Sequence, residues 1–216
     1  INKEFKQFLQ YCVDNNYAKS IELRFNTNGQ TIDPELKELY TKFKHCLVHL
    51  SMDGIYERYE YIRYPGTWAK ELEVLKYWDN MPDNVTVDID CTVSALNVSH
   101  IPDFVRWKMD QGFKKLNKTR FGGTIGMHLL WTPNFLGINN LNDEIKAKAS
   151  KDIAQLRMEL GTTVTNRYKK FDALLNALDK PATNITVLVE YLDKMDKIRG
   201  TSWQDTFPEL ISLRKS

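Results

Sequence analysis

Cys46-Leu47-Val48-His49-Leu50-Ser51-Met52-Asp53-Gly54, followed by Tyr61-Ile62-Arg63-Tyr64-Pro65-Gly66, decides how this chain is read. An apolar run stops abruptly in Ser-x-Asp-Gly, and a basic residue follows in the next loop. The pattern predicts a strand over 46–51 that delivers small polar groups to the carboxyl end of a sheet. Ligands bind at that end in α/β proteins.

Upstream, Phe5, Phe8, Leu9, Cys12 and Val13 recur at helical spacing, predicting a helix over 3–16. Residues 20–26 alternate as a strand does, and Thr27-Asn28-Gly29 breaks them. Asp33-Pro34-Glu35 reads as a cap, a first-turn proline and an acid at the positive end of a helix that runs through Leu36, Leu39, Tyr40 and Phe43. Downstream, the sequence predicts a loop of about a dozen residues and then a helix capped by Thr67, with Trp68, Leu72, Leu75 and Trp78 on its apolar face. Residues 85–93 alternate at period two. Ser99 and Pro102 open a helix through Phe104, Val105 and Met109 that Gly112 closes. Gly122-Gly123 lead into a last strand, Thr124 to Trp131. Helix and strand thus alternate, which implies parallel strands joined by right-handed crossovers and an α/β fold.

From about residue 141 the pattern is nearly all helical. One stretch carries Ile153, Leu156 and Leu160; a second carries Val164, Tyr168, Phe171, Leu175 and Leu178; a third, capped by Asn184, carries Ile185, Leu188, Val189, Leu192 and Met195.

The bulk numbers suit one large domain, or one domain with an appendage, in 216 residues. A net charge of +2 gives no argument for nucleic acid or membrane as partner. No apolar run approaches a membrane span, and no signal peptide is visible. Cys12, Cys46 and Cys91 are too far apart for a linear metal motif, and their odd number argues against a disulfide framework. Buried thiols and a cytoplasmic setting are expected. The chain starts with Ile1, so it is expected to belong to a longer polypeptide.

Each candidate site has a plainer rival. Ser51, Asp53 and Gly54 form either a polar turn or a shelf for a ligand's hydroxyl or amino groups, with Arg63 able to grip a carboxylate. Asn26-Thr27-Asn28-Gly29 is either a turn or a second polar strand end beside the first. Asp88 and Asp90 share a strand face and are read as structural, whereas Ser94 and Asn97 at that strand's carboxyl end are better ligand candidates. His49 and His128, inside strands, are read as core or barrel-lining. Trp131 at the last strand end suits a substrate pocket. There is no phosphate loop, dinucleotide fingerprint or serine elbow. The basic run 114–120 reads as a solvated loop rather than a nucleic-acid site.

Taken in order, Thr27-Asn28-Gly29, Leu50-Ser51-Met52-Asp53-Gly54, Arg63, Val93 to Asn97 and Leu129-Leu130-Trp131-Thr132-Pro133 resemble the radical S-adenosylmethionine enzymes, especially members with a SPASM or twitch extension. The match covers about residues 18–135, and the tail from Asp196 to Leu210 resembles those of similar proteins. The resemblance implies a partial parallel (β/α) barrel over 1–138, its four strands standing for the third to sixth of a (β/α)6 barrel, and a helical extension over 139–216. It implies that Asn28, Ser51, Asp53, Arg63 and Asn97 bind S-adenosylmethionine, while Thr92, Ser94 and Trp131 face a substrate, a peptide being one option. The family's 4Fe–4S cluster is held by a Cys-x-x-x-Cys-x-x-Cys loop after the first strand; this sequence contains no such loop, so those ligands would precede Ile1. The intact enzyme would generate a 5′-deoxyadenosyl radical, and the segment alone is expected to have no turnover. The rival reading is a catalytically incomplete barrel serving as a protein- or RNA-interaction module.

Overall fold

A computed structural model describes residues 3–30, 32–116, 124–167 and 170–215, with the backbone alone at 162–167 and 215. Its elements run α1 (Lys3–Asp14), β1 (Glu22–Thr27), α2 (Pro34–Thr41), β2 (His45–Ser51), α3 (Tyr56–Ile62), α4 (Trp68–Asp79), β3 (Val85–Val93), α5 (Ile101–Asp110), β4 (Gly126–Leu129), α6 (Asp143–Arg167), α7 (Lys170–Leu178), α8 (Ile185–Arg199) and α9 (Trp203–Thr206), with short 3-10 turns between. The four strands form one all-parallel sheet in the order β1-β2-β3-β4. Each strand therefore pairs with the next in sequence, and crossovers of one hand place the intervening helices on one side of the sheet.

The register shows what each face carries. Leu23 pairs with Cys46, Phe25 with Val48, and Leu50 with Ile89, so these side chains share a face. Tyr40 of α2 and Trp78 of α4 cover it: Tyr40 lies 5.6 Å from the Phe25 ring and 6.2 Å from Trp78. The opposite face is polar. Asn26, His49 and Asp88 form one row; Ser51 and Asp90 form another; Thr92 and His128 a third.

Local chemistry explains most boundaries. Asp33 caps α2, its carboxylate accepting from the Glu35 and Leu36 amides, and Pro34 occupies the first turn. The Thr67 hydroxyl accepts from the Lys70 amide at the start of α4. Gly200, with φ 67°, ends α8 in the left-handed conformation.

Some expectations need correction. The dozen-residue loop after β2 contains α3, an aromatic-rich helix that buries Tyr59 and Tyr61. The inner face of α4 runs through Glu71, Val74, Leu75 and Trp78, with Leu72 only half-buried; Glu71 turns inward to accept a hydrogen bond from the Tyr59 hydroxyl at 2.5 Å. The last strand is four residues long, and Leu130 and Trp131 lie beyond it. Asn184 occupies the cap position of α8 without capping it; the Asn140 side chain accepts from the Thr183 and Asn184 amides and holds the chain there instead. Gly122-Gly123, Tyr168, the Val164 side chain and most of the 114–120 basic run lie outside the described residues. No described helix is long and apolar enough to cross a membrane.

Candidate functional site

The carboxyl ends of β2 and β3 are tied together by two side chains. Asp53, just past β2, accepts from the Thr92 amide through Oδ1 at 2.7 Å and pairs with Arg63 Nε through Oδ2 at 2.8 Å. Asn97, in the turn after β3, donates to the Asp53 carbonyl at 3.0 Å and the Thr92 carbonyl at 2.9 Å, while its own oxygen accepts from the Ser94 amide at 2.8 Å. Asn97 is 1% exposed. A short Ser-x-Asp-Gly segment thus presents a carboxylate to a neighbouring strand end, and an Asn three residues beyond Ser94 closes the turn.

The remaining rim residues sit differently. Thr27 accepts from the Gly29 amide, and the Asn28 side chain, exposed, accepts from the Gln30 amide. Gly29 adopts φ +70° against α4, and the Trp78 indole donates to its carbonyl. Ser51 ends β2 half-buried on the polar face, paired in register with Asp90. The structure therefore brings Asp53, Arg63 and Asn97 into one cluster. It leaves Asn28 and Ser51 on the rim outside that cluster's hydrogen bonds.

The helical tail folds back over this rim. Tyr61 of α3 donates to Asp196 at 2.9 Å, and Arg199 donates to the Tyr61 carbonyl at 3.0 Å. Arg58 forms a two-point pair with Glu209, at 2.9 Å and 2.5 Å, and stacks on Phe207. Beneath this cover lies a cavity of about 150 Å³, bounded by the strand-end residues Asp53, Thr92 and Ser94, by Leu130, and by Met195 and Arg199 of α8. Of the three residues that the resemblance implies face a substrate, Thr92 and Ser94 line this chamber and Trp131 is 87% exposed.

No known protein family, characterised protein or solved structure matches this chain.

One grouping was not legible as a site in the sequence. Asp90 Oδ2 lies 3.2 Å from His49 Nδ1 and 3.2 Å from His128 Nε2, so three adjacent strands contribute to a His–Asp–His chain that runs diagonally across the polar face, one residue from each of three register rows. Asp88, fully buried, lies 4.0 Å from His49 Nδ1. The signal was period-two alternation combined with register, and register is a property of pairing rather than of any one strand. The cysteines are buried; burial pushes the Cys46 thiol up to about 11 and that of Cys91 well above its ordinary value, which suits inert packing. Among the described residues no cluster of His, Cys, Asp and Glu could hold a metal ion.

Proposed function

We propose that this chain is the later part of a radical S-adenosylmethionine-type (β/α)6 barrel, binding S-adenosylmethionine along the carboxyl ends of its strands for radical-based modification of a substrate. The observation that carries the reading is the run of four parallel strands in sequential order, with one polar cluster, Asp53–Arg63–Asn97, at the carboxyl ends of the middle two. Ligands are expected at that end of such a sheet.

The residues fit the cofactor in part. Arg63 pairs in charge with Asp53, Nε to Oδ2 at 2.8 Å, and its planar guanidinium suits a carboxylate. Ser51 and Asn28 offer polar groups on the same rim. Asn97 is committed to main-chain partners, so its role is to hold the Asp53 turn in place. The 150 Å³ chamber is too small for a nucleoside, since cofactor pockets run to about 300 Å³ or more, so the cofactor belongs at the exposed rim beside Asn28 rather than under the tail. The residues do not fit an iron–sulfur cluster: the cysteines at 12, 46 and 91 are buried and dispersed. When bound, the cofactor supplies the radical chemistry; these residues supply orientation and a covered substrate chamber.

The test is a titration of the chain with S-adenosylmethionine, followed by amide NMR. Saturable shifts at residues 27–30, 51–54 and 63, with none at Lys114 and Lys115 on the opposite end of the sheet, support the reading. Shifts spread evenly over the surface, or absent into the millimolar range, reject it. The interaction-module reading draws on the solvated Trp131 ring; it gains if Trp131→Ala abolishes capture of a partner while cofactor binding is absent.

A further inference from the structure

The chamber under the tail has a chemistry of its own. Asp53 lines it, but both of its carboxylate oxygens are engaged, by the Thr92 amide and by Arg63. Among the described residues that line it, Arg199 is the only cation. Its guanidinium carbon lies 4.9 Å from the Tyr64 ring centre and 5.9 Å from that of Tyr61. One terminal nitrogen is spent on the Tyr61 carbonyl. The rest of the fork remains for a planar acceptor, which is the geometry arginine offers a carboxylate. Ser94 supports the same sign: its Oγ already accepts from the Leu96 amide, which leaves its O–H to donate. Apolar residues, Leu130 and Met195 among them, make up much of the remaining wall.

We infer that this chamber is a carboxylate-recognition subsite, in which Arg199, held by the Tyr61 and Tyr64 rings, receives the carboxylate of a ligand with a short apolar body, such as the end of a peptide. The chamber's size suits a terminal group rather than a whole ligand. The helical extension therefore contributes directly to recognition, since Met195 and Arg199 both belong to α8. Naming the bound group as the substrate's rests on the barrel reading above; the chamber's affinity for a carboxylate does not.

The experiment uses the whole chain, without cofactor, and two probes of nearly equal shape: N-acetyl-leucine and its uncharged amide, N-acetyl-leucinamide. The Met195 methyl group reports occupancy by NMR. The carboxylate is expected to bind saturably and at least about tenfold more tightly than the amide, as an Arg–carboxylate pair allows. Arg199→Gln is expected to remove that difference. Met195→Trp, which leaves the arginine in place and fills the chamber, is expected to exclude both probes. Equal binding of acid and amide, unchanged preference in Arg199→Gln, or no binding into tens of millimolar overturns the inference. Binding of N-acetyl-leucine without any binding of S-adenosylmethionine leaves the subsite standing and removes the cofactor reading.

Discussion

The Asn97 side-chain amide donates to the main-chain carbonyl of Asp53 across 3.0 Å, joining a turn after β3 to a turn after β2 in the buried interior of the strand-end cluster. Three main-chain groups depend on this side chain: the carbonyls of Asp53 and Thr92 and the amide of Ser94. Asn97→Ala strands them away from water. We expect a loss of about 2–4 kcal/mol in urea unfolding, with the slope unchanged. Amide exchange should rise first at residues 53 and 92–94.

Gly29 is expected to resist substitution. A Cβ there would lie 2.9 Å from Val74 Cγ1, 3.0 Å from Leu50 Cδ2 and 3.1 Å from the Trp78 indole nitrogen, in a backbone with φ +70°. Gly29→Ala meets both the clash and the conformational penalty, and should cost about 2–4 kcal/mol by calorimetry. Asn28→Ala, one residue earlier and exposed, should cost less than about 1 kcal/mol.

Acid should weaken the fold through His100. Burial, aided by the nearby Arg58 charge and opposed by Asp103 and Glu209, lowers its pKa from 6.5 to about 4. The folded protein therefore binds fewer protons than the unfolded chain between those values, and stability rises with pH across that window. It is complete above about 6.5 and lost as pH falls toward 4. The contribution is at most about 3 kcal/mol. Unfolding curves of His100→Gln should lack this part of the pH dependence; identical curves for both proteins would reject it.

Glu71 should act with the opposite sign. Burial raises its carboxyl pKa, against the Tyr59 hydrogen bond and the Arg63 charge. Its folded form keeps the proton to higher pH than the unfolded chain does, so its contribution is present below 4.5 and declines as pH rises toward the folded value. Glu71→Gln, which can still accept from Tyr59, is expected to be the more stable protein at neutral pH. Thermal melts at pH 4 and pH 7, read as a difference between the two proteins, check this.

The tail's closure should depend on Arg58. This residue makes a two-point pair with Glu209 and stacks on Phe207, 5.3 Å from the ring centre. Arg58→Ala is expected to expose residues after Arg199 to limited proteolysis and to cost about 1–3 kcal/mol. Glu209→Gln keeps the stacking and should have the smaller effect.

Much of the strand framework was legible because it rests on local rules. Period-two alternation located Val85–Val93 to the residue, and Asp33-Pro34 and Thr67 marked helix starts through bonds made within one turn. The helix Tyr56–Ile62 was not, because its buried residues answer to partners far along the chain: Tyr59 to Gln30 and Glu71, Tyr61 to Asp196 and Phe207. The site divides in the same way. The sequence marked Ser51, Asp53 and Asn97 as polar groups at strand ends, because small polar residues after an apolar strand can lie nowhere else.

By itself, then, the amino-acid sequence determined which segments are strands, that they run parallel, and which end of the sheet carries the polar groups, since periodicity and capping act over a few residues. Only the tertiary structure decided that Asn97 is consumed by main-chain bonds, that Asp90 lies between two histidines from flanking strands, and that Arg199 closes a chamber more than a hundred residues from Asp53. Register and the docking of α8 make those contacts, and both depend on free energies summed over whole surfaces rather than on any short stretch of chain.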